Sequence, residues 1–255
     1  MSGHSKWATT KHRKAAQDSK RSAMFSKLSR IITVAARQGN DPNPDNNASL
    51  AAAIAKAKGY SMPKDKIQMA IDKAFGTGAD AATWDEVTYE GYGPAGIGLY
   101  VECLTDNHNR TAADVRAAFN HSGGNMGASG SVSYQFVRKG KITVDKEVCD
   151  DEDTLMMAVA EAGGDDYEDA GDEWIVWTDP SDVMGVKKGM DDQGVEVKGA
   201  ETIFTPANPT PVSVEDAKKV MRLVDRLEDL DDVQNVYTTM EITDEVAAAL
   251  EADEE

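Results

Sequence analysis

Charge divides this chain into two unequal parts. Residues 1–75 carry 14 basic and 5 acidic side chains, whereas residues 76–255 carry 13 basic and 40 acidic ones, for an overall net charge of −18. The first thirty residues alone hold eight lysines and arginines against a single acid, Asp18. Such a pattern predicts a basic arm or domain on an acidic body, built to touch a polyanion at one end only. Counterion release draws the basic end to a phosphate backbone, while the acidic remainder is repelled and faces elsewhere. Nucleic acid is the leading partner. The competing reading is a solvated, charge-biased N-terminal tail.

The chain has 255 residues, 40% of them hydrophobic and 6% aromatic, enough for two or three compact units with lean cores. No stretch approaches the roughly 20 apolar residues of a membrane span. The start, Met1 to Trp7, is basic but has no apolar run of the kind a secretory signal needs. Cys103 sits in an apolar run that reads as a buried strand, so Cys103 and Cys149 read as reduced thiols. These features predict a soluble cytoplasmic protein with no membrane partner.

Residues 1–20 lack apolar periodicity and read as a basic arm that orders on contact. From Lys20, the residues Met24, Phe25, Leu28, Ile31, Ile32 and Ala35 form one apolar stripe at helical spacing, with Lys20, Lys27, Arg30 and Arg37 on an adjacent cationic arc. The run from Gly39 to Asp45 breaks this helix. Further helices are predicted at Ala48–Lys58 and Pro63–Phe75, the second with Pro63 in its first turn. Past a linker at residues 76–80 the period changes. Strands are predicted at 97–104, 131–137, 173–178, 195–198 and 233–240, with helices at 111–121, 154–162 and 180–190. After a proline-rich linker, Ser213 caps a strongly amphipathic helix whose Ala217, Val220, Met221, Val224 and Leu227 face inward. An acidic helical end, 246–255, closes the chain. Helices and strands alternating on short loops predict the α+β class.

Motifs for chemistry are sparse. Gly91-Tyr-Gly-Pro-Ala-Gly96 matches GxGxxG in form, but Pro94 interrupts it and a strand follows, so it reads as a glycine-rich turn. There is no Walker loop. The four histidines do not pair with the two cysteines at metal-finger spacing, and Ser129 sits in no nucleophile elbow. The reading is therefore no enzyme, no cofactor, no metal and no small-molecule substrate. Trp174 and Trp177, three apart in a strand, fall on opposite faces, one in the core and one on an outer face expected to be covered. The segment Lys6, Trp7, Lys11, His12, Arg13, Lys14 interleaves an aromatic and an imidazole with cations, as nucleic-acid arms do. With Lys20, Arg21, Lys27 and Arg30 it makes up the candidate nucleic-acid contact.

The same residues resemble a known family. Gly3-His-Ser-Lys-Trp7 followed by Lys11-His-Arg-Lys-Ala-Ala-Gln-Asp18 is similar to the N-terminal signature of the YebC/PmpR family. Ile32–Arg37, Met62–Asp65, Tyr89–Pro94, Glu102–Asn107, Asn109–Thr111, Gly123–Asn125 and Gly130–Val132 continue the match over roughly residues 2–138. Met126 and Thr9-Thr10 depart from the usual residues of the pattern. The resemblance implies a helical domain over 21–79 behind the arm 1–20, and a middle α+β domain made of 80–132 with 208–245. A second α+β domain, 133–207, is inserted in it, the folds are ferredoxin-like, and 246–255 is an acidic tail. It also implies a DNA-binding transcriptional regulator. The alternative from the same family is a translation factor on ribosomal RNA, with ribosomal proteins as further partners, that relieves stalling on proline-rich chains. In that alternative the loop Gly123, Gly124, Asn125, Met126, Gly127 would let backbone approach RNA closely.

Overall fold

The computed structural model describes residues 18–76 and 84–252, apart from the side chains of residues 18–20, 244, 251 and 252. Three helices come first: α1 (Asp18–Gly39), α2 (Ala48–Gly59) and α3 (Lys64–Phe75). None carries enough apolar surface to stand alone, so they pack on one another. Phe25, Leu28, Ile32, Ala35 and Ala36 of α1 meet Leu50, Ala53 and Ala57 of α2 and Ile67, Ala70, Ile71 and Ala74 of α3. Asn47 fixes the angle between the first two helices. Its side-chain oxygen caps α2 by accepting from Leu50 N at 3.0 Å, and its amide donates to Ala35 O at 3.0 Å.

The first sheet has the order β3-β1-β2-β9 and is antiparallel throughout. Its strands are β1 (Asp85–Tyr92), β2 (Gly98–Thr105), β3 (Asn125–Met126) and β9 (Val233–Thr238). The β1–β2 hairpin turns through Pro94–Gly96, where Ala95 and Gly96 have φ of 57° and 74°, so the glycine-rich run is a turn entering a strand. Helices α4 (His108–His121) and α7 (Val214–Glu228) cover one face, burying Leu99, Val101 and Cys103 against Phe119, Val220, Leu223 and Leu227. Ser213 caps α7, accepting from Asp216 N at 3.1 Å, as its spacing predicts. A short parallel pair, β8 (Thr210–Pro211) with β10 (Met240–Glu241), and a last helix, α8 (Asp244–Ala252), complete this part.

The second sheet is built from β4 (Phe136–Asp145), α5 (Glu152–Ala162), β5 (Asp166–Asp169), β6 (Glu173–Thr178), α6 (Val183–Asp192) and β7 (Gly199–Pro206). Its chain order βαββαβ and strand order β5-β6-β4-β7 are those of a ferredoxin-like unit. Leu155 and Val159 of α5 and Val183, Val186 and Met190 of α6 pack on Ile142, Val144, Trp174 and Val176. The first sheet has the same two-layer plan, reached with the chain order ββαβ and then αβ. The α+β class is what the sequence predicts.

Several elements differ from the sequence reading. Val195–Lys198 is not a strand: Val195 and Val197 are buried because this loop folds back on α6, through Val195 N to Met190 O at 3.0 Å and Val197 N to an Asp191 carboxylate oxygen at 3.0 Å. That loop packing imitates strand alternation. The strand itself, β7, begins at Gly199. Residues 133–135 form a 3-10 turn, so β4 begins only at Phe136, and α4 starts three residues before Thr111 because Asn107 caps it.

The helical region docks on the second sheet where α2 crosses β7. Gly59 and Gly199 make this contact backbone to backbone, and a Cβ built on Gly199 would stand 2.4 Å from the Gly59 Cα. No side chain can swing away there, so the helix itself must move. We predict that Gly199→Ala costs about 1–3 kcal/mol through overpacking. A urea melt should show the loss as a lower midpoint, and an unchanged midpoint would refute the close approach.

Candidate nucleic-acid interface

Arg21 and Lys66 converge on one ring. The Arg21 guanidinium lies 5.5 Å and the Lys66 ammonium 5.0 Å from the Phe25 centroid, which sets the beginning of α1 against α3. Both cations are exposed, as are Lys58, Lys64 and Lys73 on α2 and α3. None of the five has an acidic partner among the described residues. Residues 1–17, with Lys6, Trp7, Lys11, His12, Arg13 and Lys14, lie outside the described residues, but they join the chain here, at the first turn of α1. Lys20 is in that first turn, and its side chain too lies outside the described set.

Lys27 and Arg30 are placed differently from the free cationic arc that helical spacing predicts. Lys27 is only 8% exposed and donates to the Glu228 carbonyl at the end of α7. Burial pushes its pKa down, against the attraction of Glu228, Asp231 and Asp229. Arg30 donates to Asp231 O at 2.8 Å, reaches Asp232 at 3.5 Å, and stacks 4.5 Å from the Trp84 centroid. Both residues therefore fasten α1 to the first sheet. Periodicity placed them on the correct arc of the helix but could not show what covers it, because the acceptors lie about two hundred residues downstream.

Beside this seam is a groove of about 580 Å³ lined by Arg30, Trp84, Asp106, Arg110, Asp114 and Asp231, among others. Its anchor is Asp232. The buried carboxylate accepts from Arg110 at 2.7 Å and from the hydroxyls of Thr111 at 2.7 Å and Thr105 at 3.3 Å. Burial alone would raise its pKa, but the bonds from Arg110 and Thr111 and the charges of Arg110 and Arg30 outweigh it and hold the carboxyl below its usual value. This groove is acidic, with Arg30 and Arg110 held by Asp232 and Asp106, so it offers no surface to a phosphate.

The loop from Gly123 to Gly127 makes a close backbone approach, but to its own chain. A Cβ on Gly124 would meet Tyr92 O at 2.7 Å and one on Gly127 would meet the Ser131 hydroxyl at 2.6 Å. Asn125 and Met126 pair with β1, and Gly127 N donates to Glu90 O at 2.8 Å. Gly123, with φ of 75°, ends α4 in open space. The next turn is held by the buried Glu90 carboxylate, which accepts from Gly130 N, Val132 N and Ser133 N at 2.8, 2.7 and 2.9 Å. Burial raises the Glu90 pKa, and these three N–H groups more than reverse it. Sequence reasoning missed Glu90, although its place in Tyr89-Glu-Gly-Tyr-Gly-Pro94 was in view.

Among the described residues, no group of three or more potential ligands gathers as a metal site. Cys103 and Cys149 are buried and unpaired, and burial chiefly, with Asp232 nearby, pushes the Cys103 thiol up to about 12. No described helix is long and apolar enough to cross a membrane.

Two predictions separate structural from surface charge. Asp232 and Glu90 both have lowered folded pKa values, so their stabilisation is full above the unfolded values of about 3.9 and 4.3 and is lost as pH falls through the folded ones. Acid unfolding below about pH 4 should therefore be blunted in Asp232→Asn, which starts less stable by about 1.5–3 kcal/mol at pH 7. Circular dichroism against pH reads both effects. In a salt titration of nucleic-acid binding, Arg21→Ala with Lys66→Ala should flatten the log–log slope by close to 2, and Lys27→Met should leave it unchanged.

Comparison with known proteins agrees with this architecture. Residues 5–77 match the family model described as the TACO1/YebC protein N-terminal domain, and residues 84–240 match that of the TACO1/YebC second and third domain. A Mycolicibacterium gilvum protein named "Probable transcriptional regulatory protein" is 49% identical over 99% of this chain and 100% of its own. One of the same name from Rubrobacter xylanophilus is 47% identical over 97% of this chain and 98% of its own. The crystal structure of a conserved hypothetical protein from Aquifex aeolicus superposes with a TM-score of 0.78 at 40% identity, covering 89% of this chain and 93% of that one. With its helical unit, its two antiparallel sheets and near full-length similarity to these relatives, the chain belongs to the TACO1/YebC family.

Proposed function

We propose that this protein is a cytoplasmic regulator of gene expression that binds nucleic acid, duplex DNA first, through residues 1–17 and the cationic surface at the root of α1. One observation carries the reading. Arg21 and Lys66 meet at the point where the basic segment joins the fold, while Lys27, Arg30 and Lys56 are committed inward. The outward cations lie where the segment that holds Lys6, Lys11, Arg13 and Lys14 joins the fold, and the net acidity of the remainder disfavours duplex over most of its surface. The names carried by the relatives support a regulatory role.

A second reading, ribosomal RNA as the target, is favoured by the composition of α3. Its exposed residues include Lys64, Lys66, Gln68, Met69 and Lys73, with no arginine or asparagine. Direct readout of base edges in a major groove needs several Arg, Asn or Gln side chains on one strip, and α3 offers Gln68 alone among lysines that serve phosphate equally well. In this reading the protein would act on ribosomes stalled at proline-rich stretches, with ribosomal proteins against its acidic faces.

Both readings require a steep salt dependence. If four to seven phosphates are neutralised, the log–log slope of affinity against salt should be roughly −3 to −6. Co-sedimentation with ribosomes in excess random duplex DNA separates the two. Survival of the ribosome complex assigns RNA, and loss to the DNA assigns the duplex. A flat salt slope on both ligands would reject the proposal.

A further inference from the structure

We infer that the open face of the second sheet is a separate contact for single-stranded RNA, with Trp177 as its stacking platform. A ferredoxin-like sheet has two faces, and α5 and α6 cover one of them. On the other, α2 covers the end near Gly199. The rest of that face carries Val137, Lys139 and Lys141 from β4, Trp177 from β6 and Ile203 from β7. The register puts them together: Lys141 stands directly opposite Trp177 on one side and opposite Glu201, which pairs with Lys56, on the other, and Lys139 stands opposite Ile203. Val137 is 42% exposed, and Trp177 and Ile203 are partly exposed. Trp174, by contrast, points into the core and donates its indole N–H to Cys149 O. The outer tryptophan is thus largely covered, as the sequence suggests, with the Lys139 ammonium over its ring, and part of it stays open to solvent.

Charge complementarity selects the occupant. Residues 133–207 hold 7 basic and 19 acidic side chains. Lys146, Lys187 and Lys198 are spent on Asp169, Asp191 and Glu173. Lys139 and Lys141 have no acidic partner among the described residues, and the Lys139 ammonium lies 5.5 Å from the Trp177 centroid. Two unneutralised lysines beside a partly exposed indole, in so acidic a unit, suit a ligand with phosphates and flat bases together. An exposed cation–π contact is weaker than stacking of a base on an aromatic ring. A base therefore displaces the ammonium, which then meets the adjoining phosphate.

The opposite flank points to RNA over DNA. Asp166 of β5 is paired with Trp177 on this face and is exposed. A carboxylate there repels phosphate but accepts a hydrogen bond from a ribose 2′-hydroxyl, which deoxyribose lacks. The strand would run with phosphates over β4 and sugars toward β5. This inference rests on the nucleic-acid reading above in supposing a polyanionic partner, but it uses none of the same residues.

The test is fluorescence anisotropy of the full-length protein with a labelled oligouridylate of about 12 nucleotides, a length within single-strand site sizes. Trp177→Leu should weaken binding about fivefold or more, and Lys139→Glu with Lys141→Glu should flatten the salt slope by about 1.4. The oligodeoxyuridylate should bind more weakly, and random duplex should be unaffected by either change. A fourth protein, with Lys6, Lys11, Arg13 and Lys14 replaced by alanine, should lose duplex binding and keep the Trp177 effect. Wild-type affinity for oligouridylate in both face variants overturns this inference, as does no binding by the wild type. Equal affinity for the deoxy strand overturns the assignment to RNA. Unchanged duplex binding in the fourth protein instead counts against the function proposed above. Should Trp177→Leu fail to fold on thermal melting, the exposed double lysine change decides alone.

Discussion

The ammonium of Lys56 ties three parts of the chain together at one point. From α2 it donates to the Asn235 side chain of β9 at 2.9 Å and lies 3.2 Å from the Glu201 carboxylate of β7. Asn235 and the Tyr237 hydroxyl in turn donate to one oxygen of Glu102 on β2, at 2.8 and 3.0 Å. Burial first, and the Glu102 charge second, hold the Tyr237 phenol far above its usual pKa, so it remains a donor wherever the protein is folded. A satisfied network at this depth contributes less to net stability than to geometry, because each charge loses water on burial. Aromatic packing surrounds it. Phe204 lies 4.7 Å from Tyr100 and 5.5 Å from Tyr237, centroid to centroid, which joins the two sheets through an apolar contact.

That junction sorts the cations of the helical region. Lys27, Arg30 and Lys56 neutralise carbonyls and carboxylates of the acidic body, and the attraction between oppositely charged units becomes the force that docks them. Arg21, Lys58, Lys64, Lys66 and Lys73 remain outside, where only solvent or a polyanion can answer them. Charge asymmetry along the chain thus has two uses, one internal and one external. Counting residues reveals the total but not the division between them.

Local periodicity made most of the helices legible. The stripe from Phe25 to Ala35, the capped start at Ser213 and the inward residues of α7 all follow from spacing that one helix determines by itself. β7 was illegible for the opposite reason. It is only partly buried from Glu201 to Pro206, because it lies on the edge of its sheet and is covered by α2 and by aromatic side chains of the first sheet. The candidate interface was half legible in the same sense. The basic segment and Arg21 read directly from composition, whereas the burial of Lys27, the anchoring of Arg30 and the Glu90 clasp depend on partners distant in sequence. The glycines of 123–127 permit close approach, but sequence cannot say which backbone comes close.

Topology explains how one α+β unit can interrupt another without strain. The second sheet leaves and re-enters the first at a single place: Phe136 pairs with Pro206, and Ala207 N donates to Gln135 O at 2.8 Å. Inserted units are tolerated when their ends lie together, since the host then needs no distortion to span them. The insertion does lengthen the separation in sequence between paired strands. Strand β9, which carries Asn235 and Tyr237, follows the insertion, so its pairing with β2 is a contact of long sequence separation. The bonds of Asn235 and Tyr237 to Glu102 need only the first sheet, but those of Lys56 need both sheets and α2 in place. The Lys56 contacts are therefore complete only in the arrangement in which all three units are correctly set, which makes them specific to that assembly.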